Sequence, residues 1–251
     1  MRKKWILPGV LGLLQGGAVF GSWWFEDGSS LFWLSVGSLC VLTAVIPILA
    51  AVNGVRAHRA QVQSDAQIAL LAALTEVVDQ TGVSSQKLGL HAYLVRRMIF
   101  RWPPWEKEQV RVGRVRVAGS PPASTIVWTL GKGAVGRCWA QRGRALAYRR
   151  ADEHSQYVSC TEEEWNGAPN SIRMGFNHQE WETAKRYPGI VVVPMSVQHK
   201  PMDRYEYQGC VSLDFLKDED FVRVYMNRQQ QIEKILLDAA KSIQSSFRGS
   251  S

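Results

Sequence analysis

Charge is what this chain lacks first. No Asp, Glu, Lys or Arg occurs between residues 5 and 25 or between residues 31 and 55, and only Glu26-Asp27-Gly28-Ser29-Ser30 separates the two stretches. With no ionisable side chain inside either one, a buried proton or ion relay has no support. Cysteine is also scarce. Cys40, Cys138, Cys160 and Cys210 are widely spaced and form no CxxC, which fits reduced cytosolic thiols better than a disulfide framework. The five histidines form neither HxxxH nor HExxH, so zinc is unsupported. No Ser/His/Asp set and no paired carboxylates suggest catalysis. Neither an enzyme nor a cofactor is expected.

What remains begins with the two uncharged stretches. Each exceeds the roughly 18 residues that suffice for a membrane-crossing helix, so the expectation is a transmembrane hairpin over 1–55, with spans near 5–25 and 31–55. Arg2, Lys3 and Lys4 precede the first, and Arg56, His58 and Arg59 follow the second. Basic flanks remain on the cytoplasmic side. That predicts a multi-pass protein of a bacterial-type inner membrane with both termini cytoplasmic and the lipid bilayer as a partner. A cleaved signal peptide competes for the first span, but no clear small-x-small cleavage site is present. Gly12 and Gly16, then Gly17 and Gly21, form small-xxx-small pairs that allow close helix packing in lipid, either within the hairpin or between copies. The formal charge of +8 suits a domain beside an anionic leaflet. No segment has the form of a groove-reading helix or an RNA-binding strand, so nucleic acid is not an expected partner.

Beyond residue 55 the pattern reads as one domain with flanking helices. Residues 56–84 form a juxtamembrane helix with an apolar stripe at Ile68, Leu71, Thr75 and Val78, ended by Gly82. Strands are expected at Leu88–Phe100, Gln109–Ala118, Ser124–Leu130, Ala145–Arg149, Gly189–His199 and Gly209–Phe215. In the second, a bulge at Gly113 returns the valines to one face and puts Arg111, Arg114 and Arg116 on the other, a face that is either solvated or anion-binding. Val211, Leu213 and Phe215 point inward in the last. Residues 151–188 read as polar and irregular, with short helices near Thr161–Trp165 and His178–Arg186. From Asp218 to Phe247 a long helix carries Val222, Tyr225, Gln229, Ile232, Leu236, Ala239 and Ile243 at 3-4 spacing, a seam for its own sheet or for a second copy.

Several segments together resemble a GAF domain over about residues 85–215. These are Thr125-Ile126-Val127-Trp128, the turn and helix Gly131-Lys132-Gly133-Ala134-Val135-Gly136-Arg137-Cys138-Trp139-Ala140, and the partner Gly143-Arg144-Ala145-Leu146. The strands Ile190–Met195 and Gly209–Asp214 complete the resemblance. It implies an α+β fold, an antiparallel sheet with flanking helices on one face and a ligand pocket over the other, here preceded by two transmembrane helices. By the same resemblance the domain spans 85–217 with a C-terminal helix over 218–251, and the flanking helices pair in a homodimer or higher oligomer. The short helix at Ala134 would turn its N-terminus to the pocket, where N–H groups favour an anion. The implied ligand-binding residues are Trp128, Lys132, Gly133, Ala134 and Arg137. The sequence lacks the family's cyclic-nucleotide set, its bilin-attachment context and the cysteine of its sulfoxide-reductase turn. The Gly-x-Gly-x-x-Gly spelling also lacks the βαβ unit and acidic residue of a dinucleotide site.

Three functions remain in view. The first is a membrane-anchored sensory protein that binds a small anionic ligand, a nucleotide or a partner and signals through helix packing. The second is a ligand-triggered two-span membrane effector of nucleotide-based bacterial defence. The third is a dimerisation platform that binds nothing.

Overall fold

A computed structural model of the 251-residue chain describes residues 30–97, 107–118, 124–141, 144–199 and 204–248. The chain divides into two compact units, Met1–Ala60 and Gln61–Ser251.

The expectation of two transmembrane helices is corrected. Residues 31–55 are not a separate span but the start of one helix, α1, Ser30–Thr81, which continues through Arg56, His58 and Arg59. Among the described residues, no helix is long and apolar enough to cross a membrane. Within α1 the uncharged stretch 31–55 contains Pro47, Asn53 and Gly54 and leads without a break into the charged Arg56 and Arg59. The proposed span over 5–25, with Gly12, Gly16, Gly17 and Gly21, lies outside the described residues.

The second unit is α+β. Five antiparallel strands form one sheet in the order β2-β1-β5-β4-β3. They are β1 Leu88–Arg97, β2 Lys107–Val115, β3 Leu146–Arg149, β4 Gly189–His199 and β5 Arg204–Phe215. The register of β1 with β2 slips between Ala92 and Tyr93, opposite Gly113 and Arg111. This is the bulge expected there. Ser124–Leu130 does not become a strand. It makes one bridge, Gln109 to Trp128, because Ile126 and Trp128 join an aromatic cluster instead of continuing a ladder.

One face of the sheet is aliphatic. Leu88, Leu90, Val191, Val193, Val211, Leu213 and Phe215 alternate onto it, and each is fully buried. From residue 61 onward α1 lies on this face through Val62, Ala66, Leu70, Leu74 and Val77. This stripe differs from the one expected, since Ile68 and Leu71 are 65% and 55% exposed. Alanines at 66, 69 and 73 let the helix backbone approach the sheet, and Gly113 of β2 completes the fit. A Cβ there would lie 2.9 Å from Leu70 Cδ1 and 3.1 Å from Ala66 Cβ.

The C-terminal segment is broken where one helix was expected. Asp218–Phe221 forms a single turn, Val222–Met226 a wider π turn, and α5 runs Gln229–Arg248. A π turn advances the phase of a helix, and here it buries Val224 and Tyr225 together with Ile232, Leu236, Ala239 and Ile243 of α5. The seam therefore packs on its own sheet.

Candidate functional site

The opposite face of the sheet differs in chemistry. On β1 and β5, His91, Tyr93, Cys210, Ser212 and Asp214 alternate with the aliphatic residues, and all are buried. Their cover is the segment between β2 and β4. Its first helix, α2, Gly133–Ala140, buries Ala134, Val135 and Cys138. Two further helices, α3 Glu162–Gly167 and α4 His178–Ala184, each start in a reciprocal capping box, at Thr161 with Glu164 and at Asn177 with Glu180. Such boxes satisfy two of the donors that a helix start leaves open. Trp165 and Trp181 from these helices stack 4.5 Å apart at 8°. Trp165 Nε1 donates to the Phe176 carbonyl at 3.2 Å, and Trp181 Nε1 to that of Tyr157 at 2.9 Å. Buried indoles with satisfied N–H groups form a rigid cover.

Between cover and sheet lies a cavity of about 50 Å³. Tyr93, Trp128, Tyr148, Phe176, Trp181 and Tyr187 supply aromatic surface. Trp128 meets Tyr93 and Phe176 edge-to-face at centroid distances of 6.0 and 5.9 Å. The floor is polar. His91 Nε2 lies 2.9 Å from Asp214 Oδ2, and Asp214 Oδ1 accepts from Arg116 Nη2. The Arg116 side chain is 1% exposed, and its guanidinium also stands over the Tyr187 ring. Gly89 makes room for the pair, since a Cβ there would collide with both Arg116 Nη2 and Asp214 Oδ1. A carboxylate has only acceptors to offer, so Nε2 of His91 carries the proton. His91 Nδ1 is buried with no hydrogen-bond partner among the described residues. Arg111 completes the floor and donates from Nη2 to the Ser124 carbonyl at 3.0 Å.

The five ligand residues implied by the resemblance divide into two groups. Trp128 and Ala134 line the cavity. Gly133 lies against its wall at φ +57°, and a Cβ there would sit 2.5 Å from Phe176 Cζ and 2.9 Å from Trp128 Cζ3. Its N–H donates to the Met174 carbonyl at 2.8 Å. Lys132 and Arg137 do not line the cavity. Lys132 Nζ bonds both Glu180 carboxylate oxygens, at 2.9 and 3.1 Å, and Arg137 Nη2 donates to the Ser171 carbonyl. Both side chains clamp the cover onto the α2 turn. Of the residues that make the floor, Arg111 and Arg116 were expected on an arginine face that is either solvated or anion-binding, while His91, Ser212 and Asp214 were not singled out. The only sequence signal of these three was a polar residue at every second position of strands whose other positions are apolar.

Beside the cavity, Gln109 joins β2 to α2. Its Nε2 donates to the Val135 carbonyl at 3.2 Å, and its Oε1 accepts from Tyr207 Oη at 2.9 Å and from Cys210 Sγ at 3.4 Å. Burial pushes the Cys138 thiol up to about 12 and the Cys210 thiol well above its ordinary value. Thiols kept protonated in this way are poor nucleophiles. Among the described residues, no cluster of His, Cys, Asp and Glu could hold a metal ion.

No protein-family model matches the chain, and no curated protein matches its sequence. Among solved structures, a domain assigned to the C-terminal part of a transcriptional regulator from Vibrio cholerae aligns with a TM-score of 0.31 and 15% identity, covering 69% of this chain and 93% of that one. A similarity at that level carries no argument about fold or function.

Proposed function

We propose that the chain is a non-catalytic regulatory protein whose GAF-like domain binds a small molecule in the cavity between the sheet and the 124–187 cover. The observation that carries this reading is the cavity floor. A buried His–Asp–Arg cluster beneath aromatic walls is expensive as mere filling, because aliphatic residues would pack the same space without desolvating charges. Polar groups converging on an otherwise apolar hollow are the usual form of a small-ligand site. The arrangement of helices on one face and hollow on the other also agrees with the resemblance.

The signal leaves through the sheet. His91 faces the cavity, while its neighbours Leu90 and Ala92 face α1 and α5. Ser212 and Asp214 alternate in the same way with Val211 and Leu213. A ligand that shifts β1 or β5 must therefore move the packing of the helices, which is how a buried site biases an element on the far side. The test is a ligand-observed NMR screen of single-ring and two-ring fragments on the full chain and on Ala134→Trp, which fills the cavity. The expected result is binders that Ala134→Trp abolishes and that change hydrogen exchange in α1 and α5. A screen without binders, or binders indifferent to Ala134→Trp, refutes the reading.

A further inference from the structure

We infer that the ligand is a compact planar ring bearing both an anionic group and a hydrogen-bond donor, the donor directed to His91 and the anion to Arg111. This rests on the cavity being a ligand site.

Size sets the first limit. One water needs roughly 10–15 Å³ and a dry cavity of about 150 Å³ takes benzene, so a cavity of about 50 Å³ takes nothing larger than a single ring, and that only as the side chains of the cover give way. Its six aromatic side chains favour a planar apolar body, since edge and face contacts with a ring add to simple area burial.

Charge sets the second. An aromatic box can hold a cation, but the charge of the one carboxylate in this lining, Asp214, is already matched by Arg116. Its oxygens accept from Arg116 and from His91, and the lining contains no other acidic residue. Arg116 balances that carboxylate, and Arg111, also in the lining, has no second acidic residue there to match its charge. A guanidinium offers five donors in a planar fork, and Arg111 gives one bond to the Ser124 carbonyl. A carboxylate is the group such a fork receives best.

The third limit comes from the histidine tautomer. In the neutral ring Nε2 donates to Asp214 and Nδ1 presents a lone pair, which is buried without a partner among the described residues. An unpaired buried acceptor is costly. A ligand O–H or N–H removes that cost, and an analogue without the donor leaves it in place.

The test is titration of the full chain with benzoate, phenol and the three hydroxybenzoates, followed by tryptophan fluorescence and calorimetry. At least one hydroxybenzoate is expected to bind tenfold or more tightly than both benzoate and phenol. His91→Gln keeps a donor for Asp214 but removes the Nδ1 acceptor, and should abolish the preference over benzoate. Arg111→Met should abolish the preference over phenol. Thermal unfolding of each variant reports whether it folds, and the wild-type ranking decides the matter if one does not. If fragments bind in the cavity but no hydroxybenzoate exceeds benzoate and phenol, the ligand assignment is overturned while the cavity remains a binding site. If nothing binds in the cavity, both fall.

Discussion

The two faces of the sheet use the same strands for opposite purposes. Toward α1 and α5, Leu90, Val191, Leu213 and their neighbours form a closely packed aliphatic layer. Toward the cover, the alternate positions hold His91, Ser212 and Asp214 beneath aromatic rings and leave a hollow. Fully burying one aliphatic side chain is worth about 1.5–3 kcal/mol, so the first face contributes stability with every residue. The second face spends part of that stability on buried charge, a choice that packing alone does not explain.

Four single substitutions and one double variant test the two faces and the rim. The largest effect is expected at Asp214. Asp214→Ala leaves Arg116 buried without its carboxylate and should cost about 3–5 kcal/mol in urea unfolding. Replacing both charges, as in Asp214→Leu with Arg116→Met, should recover most of it, because apolar groups fill such sites at little net cost. A double variant no more stable than the single one would show that the pair is needed for packing and not merely mutually dependent. Leu213→Ala, one residue away on the other face, is expected to cost about 2–5 kcal/mol. No second substitution at a polar site should restore it, and full recovery by one would erase the distinction between the faces.

Gly89→Ala comes next. Its Cβ intrudes on the Arg116–Asp214 pair, and overpacking of this kind costs about 1–3 kcal/mol. The same denaturant titration reads it, and a neutral result would mean that the pair does not fill the space above Gly89. The smallest effect belongs to the rim. Arg149 Nε and Nη2 bond Asp218 at 2.8 and 2.5 Å, which holds the Asp218 carboxyl below the usual carboxylate range. A lowered native pKa means stability that is present above the unfolded value, about 3.9, and lost as pH falls through the native value. The pair is partly exposed, so under about 1 kcal/mol is expected. Asp218→Asn should flatten the acid limb of a stability–pH curve by that amount, and an unchanged limb would remove the pair from the balance.

The aliphatic face was legible because its signal is local. Gly189–His199 was expected as a strand, and β4 has those bounds. The α5 stripe at Ile232, Leu236, Ala239 and Ile243 was equally clear, but spacing does not say whether a helix packs on its own sheet or on a second copy. The cavity floor was hidden for a similar reason. Alternation separates the two sides of a strand, and a polar side ordinarily faces water. Ser212 and Asp214 became a floor only because the 124–187 segment folded over them, and that segment shows little periodicity. Lys132 and Arg137 drew notice beside the glycine-rich turn, yet their partners, Glu180 and Ser171, lie far along the chain. The uncharged stretch 31–55 was read from its length and its basic flanks, and no periodicity marks where a helix such as α1 stops being apolar enough to cross a membrane.

The sequence by itself determined five of the six expected strands, the α5 stripe, the bulge at Gly113 and the lack of metal or nucleophile motifs, because each depends on neighbours a few residues apart. The tertiary structure alone decided which stripe of α1 is buried, that α5 belongs to its own sheet, and that His91, Arg111, Arg116 and Asp214 meet under an aromatic cover. Those outcomes depend on contacts between distant segments, and a one-dimensional pattern carries periodicity but not the partner that satisfies it.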